Sequence, residues 1–161
     1  TQFFGSTKPT TTTTSGLTYL EGKTVDVVRD DLALDQKTVS SGAITTDIVP
    51  TTYVEVGIPY TPQIVTLPIE TRLPNGNVQG FLKRITEVNL ILNLTQNIKV
   101  DTEEVSFRNL EALSLGTGIE FFTGIKTVQP LSGFTEESTL TITQTKPLFF
   151  TLLGIEYKVS V

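Results

Sequence analysis

The chain has 161 residues, carries a net charge of −5 and contains no Cys, His, Met or Trp. That length supports one ordinary domain or two small subdomains with a real core and no disulfide staple, and the missing Cys and His remove thiolate metal sites, the commonest general base and the commonest neutral metal ligand. The acidic balance argues against a protein that grips phosphate backbones, and no apolar run approaches the roughly 20 residues that a membrane-spanning helix needs.

Residues 1–16 begin TQFFGSTKPTTTTTS, a low-complexity Thr tract with Pro and Gly, the composition of an extended arm or linker. Two readings of Phe3-Phe4 stay open: an anchor that ties the arm to a neighbour, or the end of a strand whose upstream part is missing. The absence of Met leads us to expect a processed product or a piece of a longer chain. No charged-then-apolar signal segment opens it, and a soluble protein is expected.

Next comes GLTYLEGKTVDVV, in which Gly22-Lys23-Thr24 has the ending of a nucleotide-binding loop. Such a loop needs four residues between its first Gly and the Gly-Lys pair, and it must lead into a helix whose N-terminus holds phosphate. Here the spacing from Gly16 is one residue too long, and Val25-Asp26-Val27-Val28 is a β-branched run. A turn at Glu21-Gly22 that starts a strand is the better reading.

From Leu17 onward, period-two alternation and turn signals recur while amphipathic helical patterns are nearly absent. Strands are predicted at Thr24 to Arg29, Lys37 to Ser40, Ala43 to Thr46 after a tight Ser41-Gly42 turn, and Thr52 to Val56 with Val54 and Val56 facing one way. Gln63 to Glu70 continues the sheet, with Pro68 marking an edge or a bulge. Pro74-Asn75-Gly76-Asn77 has turn chemistry. Glu87 to Leu94 alternates Val88, Leu90, Leu92 and Leu94 against Asn89 and Asn93, and so reads as a strand in spite of a possible helical stripe. Gln96-Asn97 is a turn into Ile98-Lys99-Val100. Val105 to Asn109, Glu120 to Val128, Ser138 to Gln144 and Phe149 to Val161 follow as strands. Leu140 and Ile142 point inward, and the last strand sets Leu153, Ile155, Tyr157, Val159 and Val161 against Glu156, Lys158 and Ser160. Arg108 to Leu115 is left as a possible helical turn, and a short helix stays open near Gln79 to Ile85. The expected fold is all-β: a small β-barrel at 17–60, then antiparallel, sandwich-like sheets at 61–161, with few or no helices.

Candidate chemistry is sparse. Asp30-Asp31 with Asp35 lacks the alternating carboxylates and central Gly of a calcium loop and reads as a solvated β-turn. Asp101-Thr102-Glu103-Glu104 and Glu136-Glu137 are acidic turns, and paired carboxylates cleave glycosides only when they meet at roughly 5 to 9 Å. Asn93-Leu94-Thr95 matches a glycosylation acceptor but lies inside a strand pattern. Gly116-Thr117-Gly118 opens like a dinucleotide loop without its third Gly or its helix, and is a turn. Of the twelve basic residues only Lys83-Arg84 are adjacent. No catalytic residue, metal ligand or cofactor-binding residue is assigned, no cofactor is expected, and the chain is expected not to be an enzyme. Phe121-Phe122 and Phe149-Phe150 each put one ring on either side of a strand, so both faces must be covered, by a second layer or by another subunit.

The order of segments is informative in itself. Leu20 to Val28, then Gly42-Ala43-Ile44-Thr45, Val54-Glu55-Val56-Gly57-Ile58-Pro59-Tyr60-Thr61-Pro62, Thr66-Leu67-Pro68-Ile69-Glu70, Lys83 to Val88 and Lys146 to Val159 together resemble the tail tubular, or nozzle, proteins of short-tailed bacteriophages, also called packaged-DNA stabilisation proteins. V-G-I-P-Y-T followed by L-P-I-E is the most specific part, and the resemblance runs from about Leu17 to the end. The chain departs from the family at Tyr19, where His is frequent, at Arg29-Asp30-Asp31, in place of Ala-Asp-Gly, and at a thinned basic run, Lys83-Arg84. The resemblance implies the C-terminal part of a longer virion protein. It also implies a barrel like the FCCH domain of ubiquitin-activating enzymes at about 17–56, without their adenylation residues. A hexameric ring below the portal is implied too, in contact with portal or adaptor and other tail proteins, with DNA passing through unrecognised. An acidic channel wall would let DNA slide. The rival expectation is a carbohydrate- or receptor-binding β module of a phage or bacterial surface, and a third is a glycan-degrading enzyme using the acidic turns.

Overall fold

The computed structural model describes residues 11–70, 72–73, 76–77, 80–107, 118–130 and 133–161. Phe3-Phe4, Pro74-Asn75, the Arg108 to Leu115 segment and Gly116-Thr117 lie outside these. Among the described residues there are fourteen strands and one short 3-10 turn, Thr18–Leu20, so the protein is all-β. The chain divides into two compact units: of the described residues, the first holds 11–60, 118–120 and 146–148, and the second holds the rest.

In the first unit β2 (Thr24–Arg29) is flanked by β3 (Leu32–Thr38) and β5 (Val54–Gly57), both antiparallel to it. The strand β3 starts five residues earlier than its sequence suggests, because of the turn before it. Asp30 and Asp31 both have positive φ, 47° and 62°, and link Arg29 directly to its partner Leu32. That is the two-residue hairpin geometry whose twist matches the flanking strands, and Asp is one of the few side chains that tolerates it. LALDQKT hides this strand because Leu34 is its one residue packed on the core. From β3 the chain runs to Ser40, which bridges Ala43 across Ser41-Gly42, and enters β4 (Ala43–Thr45). The Glu21 carboxylate accepts the backbone N–H of Ser41 and of Gly42, at 2.9 and 2.7 Å, and fixes that turn.

Part of the predicted arm is itself a strand: β1 (Thr13–Ser15) pairs with β4, since an extended β-branched segment can satisfy its backbone there. The strip β5-β2-β3 leads through the Ser40–Ala43 bridge into β4-β1, and no ladder joins β5 to β1 among the described residues. Both sheets line one core, made of Leu17, Leu20, Val25, Val27, Val39, Ile44, Val54 and Val56.

The second unit is two antiparallel sheets over one core. One has the order β11-β10-β13-β6, with β6 (Gln63–Val65), β10 (Lys99–Val100), β11 (Glu103–Glu104) and β13 (Thr141–Thr143). The other is β12-β9-β14, with β9 (Arg84–Thr95), β12 (Phe122–Val128) and β14 (Leu152–Ser160). A separate ribbon pairs β7 (Arg72–Leu73) with β8 (Gly76–Asn77), so Gly76 and Asn77 belong to a strand rather than to the turn expected for them. The strand predicted from Gln63 stops at Val65 and lies at a sheet edge, as Pro68 suggested.

Ile85, Val88, Leu90 and Leu92 of β9 meet Ile98, Val100, Leu140 and Ile142 in this core. Three departures from simple alternation come from inserted residues. The β9–β14 register slips between Lys158 and Val159, which is why Ile85 and Val88 are both buried although three residues apart. It slips again between Leu152 and Gly154, turning Leu153 outward although its alternation put it on one side with Ile155, which packs on the core. Leu94 has φ 47° beside the slip between Phe122 and Gly124 of β12, so it is exposed and Thr95 takes the buried place.

Candidate interaction surface

The acidic turn Asp30-Asp31 holds a neighbouring loop. Asp30 accepts the backbone N–H of Thr51 (2.8 Å), Thr52 (2.8 Å) and Tyr53 (3.0 Å) and the Thr51 hydroxyl (3.0 Å). Asp31 accepts the Tyr53 hydroxyl. Burial pushes the Asp30 carboxyl up, but the N–H groups of Thr51, Tyr53 and Thr52 and the Thr51 hydroxyl together hold it below its usual value. Glu55 is shifted the other way, raised first by burial and then by the charge of Asp31.

These shifts give opposite pH dependences. A depressed Asp30 contributes stability that is complete above its ordinary value near 3.8 and is lost as pH falls through the lower folded value. A raised Glu55 favours the fold while protonated, an advantage lost as pH rises from its ordinary 4.5 through the folded value. Asp30→Asn is therefore expected to flatten the acid limb of a melting-temperature profile below about pH 4. Glu55→Gln is expected to raise the melting temperature at pH 7 and to leave it unchanged at pH 3.

Gly118 passes directly over the same turn. A Cβ added there would lie 2.3 Å from the Asp30 carbonyl oxygen and 2.7 Å from the Asp31 Cβ, and the next residue, Ile119, donates its N–H to the Asp31 carbonyl. Gly118→Ala must lift this segment off the hairpin and is expected to cost about 1–3 kcal/mol, read by chemical denaturation.

Other motifs of the sequence take ordinary structural places. Gly22 has φ 72° and Thr24 opens β2, so a strand follows where a phosphate-binding loop would need a helix. Asp101 accepts the Thr141 N–H at 2.8 Å, and Glu104 accepts the Asn97 side-chain amide at 3.0 Å. Glu136 and Glu137 are exposed in a bend. Thr95 is buried, its hydroxyl bonded to the Thr151 carbonyl at 3.1 Å and the Thr151 N–H at 3.1 Å, while the Asn93 side-chain oxygen accepts the Thr123 hydroxyl at 3.3 Å. Lys83 is buried and Arg84 stacks 5.2 Å from the Phe134 ring centre. Among the described residues, no group of three or more His, Cys, Asp or Glu is placed to hold a metal ion, and no helix is long and apolar enough to cross a membrane.

What stands out is the outward face of the β12-β9-β14 sheet. Paired residues of an antiparallel sheet share a face, so Ile91 and its partner Ile125 lie opposite to the inward Leu90 and Leu92. At the end of this sheet β9 stops while β12 and β14 begin, and here Phe121 and Phe149 lie edge to face with ring centres 5.4 Å apart. Their neighbours Phe122 and Phe150 turn inward and pack on the core. The inward rings are thus half-buried, while Phe121, Phe149, Leu94, Ile125 and Leu153 remain between 45 and 65 % exposed. Further along, the outward face turns polar: Thr127 donates to Asn89 at 2.7 Å, and Lys158 pairs with Glu87 at 2.6 Å. Leu94 and Leu153 belong to the apolar end only because of the two register slips, which no periodicity in the sequence reveals. No protein-family model matches the chain, and no curated protein is significantly similar to it.

Proposed function

We propose that this protein is a structural subunit of a bacteriophage tail tube or nozzle, part of the ring below the portal that retains and conducts the genome. The observation that carries the reading is the apolar end of the β12-β9-β14 face, where five large apolar side chains are left in water on an all-β scaffold. Clustered exposed apolar groups rimmed by polar ones mark contact surfaces, and a subunit packed against its neighbours would bury them. The segment order from Leu20 to Val159 that resembles nozzle proteins supplies the biological setting: a virion location, a homo-oligomer expected to be hexameric, and contacts with portal, adaptor and other tail proteins. In that setting the protein acts by shape and position rather than by chemistry, and its net charge of −5 suits a wall past which DNA moves without specific binding.

Sedimentation over a range of concentrations tests this. A multimer is expected, and a chain that stays monomeric into the high micromolar range would refute the reading. The rival reading, a carbohydrate- or receptor-binding module, uses the same exposed Phe121 and Phe149 rings as a stacking platform. A monomer that retains one host glycan on an array would establish the rival.

A further inference from the structure

The strand β1 is held chiefly by its backbone, Thr14 being its one half-buried side chain. Thr13, Thr14 and Ser15 pair with Thr45, Ile44 and Ala43, and beyond them the Thr12 carbonyl accepts the N–H and the hydroxyl of Thr46, at 2.8 and 3.1 Å. None of these arm side chains belongs to the buried core, which begins at Leu17. Between strand and core stands Gly16, at φ 90° and with open space where a side chain would be, so no side chain fixes the joint, while beyond it the Leu17 N–H is donated to the Gly42 carbonyl at 2.9 Å. The arm is also degenerate in sequence, Thr10 to Thr14 being five identical residues, so that a slip that brings Thr12, Thr13 and Thr14 into the places of Thr13, Thr14 and Ser15 exchanges only Ser for Thr. A polar strand of this kind specifies its pairing weakly and is prone to exchange.

We infer that the β4 edge is an acceptor for a Thr-rich extended strand, and that in the assembled protein this strand is the 11–15 segment of a neighbouring copy. The inference rests on the homo-oligomer reading given above. An exchanged strand makes the same hydrogen bonds as a retained one, so exchange forfeits no contact while it ties subunits together. Passed from each copy to the next, it is a head-to-tail contact of the kind that closes rings.

The absence of Cys makes a clean test possible. Thr13 and Thr45 are both exposed and directly paired, and paired strand positions lie about 4.5–5.5 Å apart between Cα atoms, within disulfide range. Chains bearing Thr13→Cys alone and Thr45→Cys alone, distinguished by mass tags, are mixed, dissociated, reassembled and mildly oxidised. The expected result is a covalent heterodimer as the main product, and for the Thr13→Cys/Thr45→Cys double variant a ladder of linked chains on a non-reducing gel. A double variant that closes only on itself while sedimentation still shows the multimer overturns arm exchange and leaves the tail-tube reading standing. Self-closure in a monomer overturns both. A ladder formed equally well by Thr13→Cys with Thr52→Cys, which are not strand partners, would mean random collision and would also overturn the inference.

Discussion

Replacing Leu90 by Ala is expected to cost about 2–5 kcal/mol and to lower the melting temperature of the second unit by at least about 10 °C. Leu90 lies on the central strand β9, fully buried, with Lys126 of β12 and Ile155 of β14 as its strand partners and the opposite sheet beneath it. Truncation removes most of a buried side chain and leaves a cavity between two sheets whose ladders restrain any collapse. A domain has only about 5–15 kcal/mol of stability in total, so this one change takes a large share. Leu153→Ala, one strand away and exposed, serves as the comparison and should move the midpoint by no more than about 0.5 kcal/mol. If the two substitutions had equal effects, the assignment of faces on this sheet would be wrong.

If the proposed multimer forms through this face, the double change Phe121→Asp/Phe149→Asp is expected to weaken self-association at least about 100-fold, because it removes two aromatic anchors and places two carboxylates in the proposed contact. Within one chain the loss is the edge-to-face pairing of the two rings, worth about 0.5–1.5 kcal/mol, together with the half of each ring that the chain itself covers, and it spares the buried core. A variant that is folded by circular dichroism and monomeric by sedimentation is therefore the expected product. Phe122→Asp makes the contrast, since its ring packs on the core beside Phe107 and under Lys126. That variant should lose the fold rather than the assembly.

Much of the fold was legible in the sequence wherever one face of a strand is buried and the chain does not slip. Thr24 to Arg29 has the observed bounds of β2, Val54 and Val56 face inward as their alternation requires, and Leu140 and Ile142 do the same. Legibility fails where a single residue is inserted. A period of two carries no memory across a bulge, so Leu94, Leu153 and the pair Ile85 and Val88 fall on faces that alternation assigns differently. The strand β3 was partly hidden for another reason: Asp30-Asp31 was legible as a turn, but only Leu34 of the strand that follows packs on the core, and the turn's support comes from Thr51 to Tyr53, more than twenty residues away. The candidate surface was half legible. Doubled phenylalanines announce that two faces of a strand need cover, but the sequence does not say that Phe121 and Phe149 meet, nor that two bulges bring Leu94 and Leu153 to the same end of the sheet. The Thr-rich arm misled in the other direction, since its composition signals a linker while its backbone supplies a strand to β4.

Electron microscopy of the protein in its full-length form tests the central claim most directly. The account predicts closed rings with a central channel, lost when Phe121 and Phe149 are both replaced by Asp. Isolated single chains in the unaltered protein, or rings that persist unchanged in that variant, would contradict it.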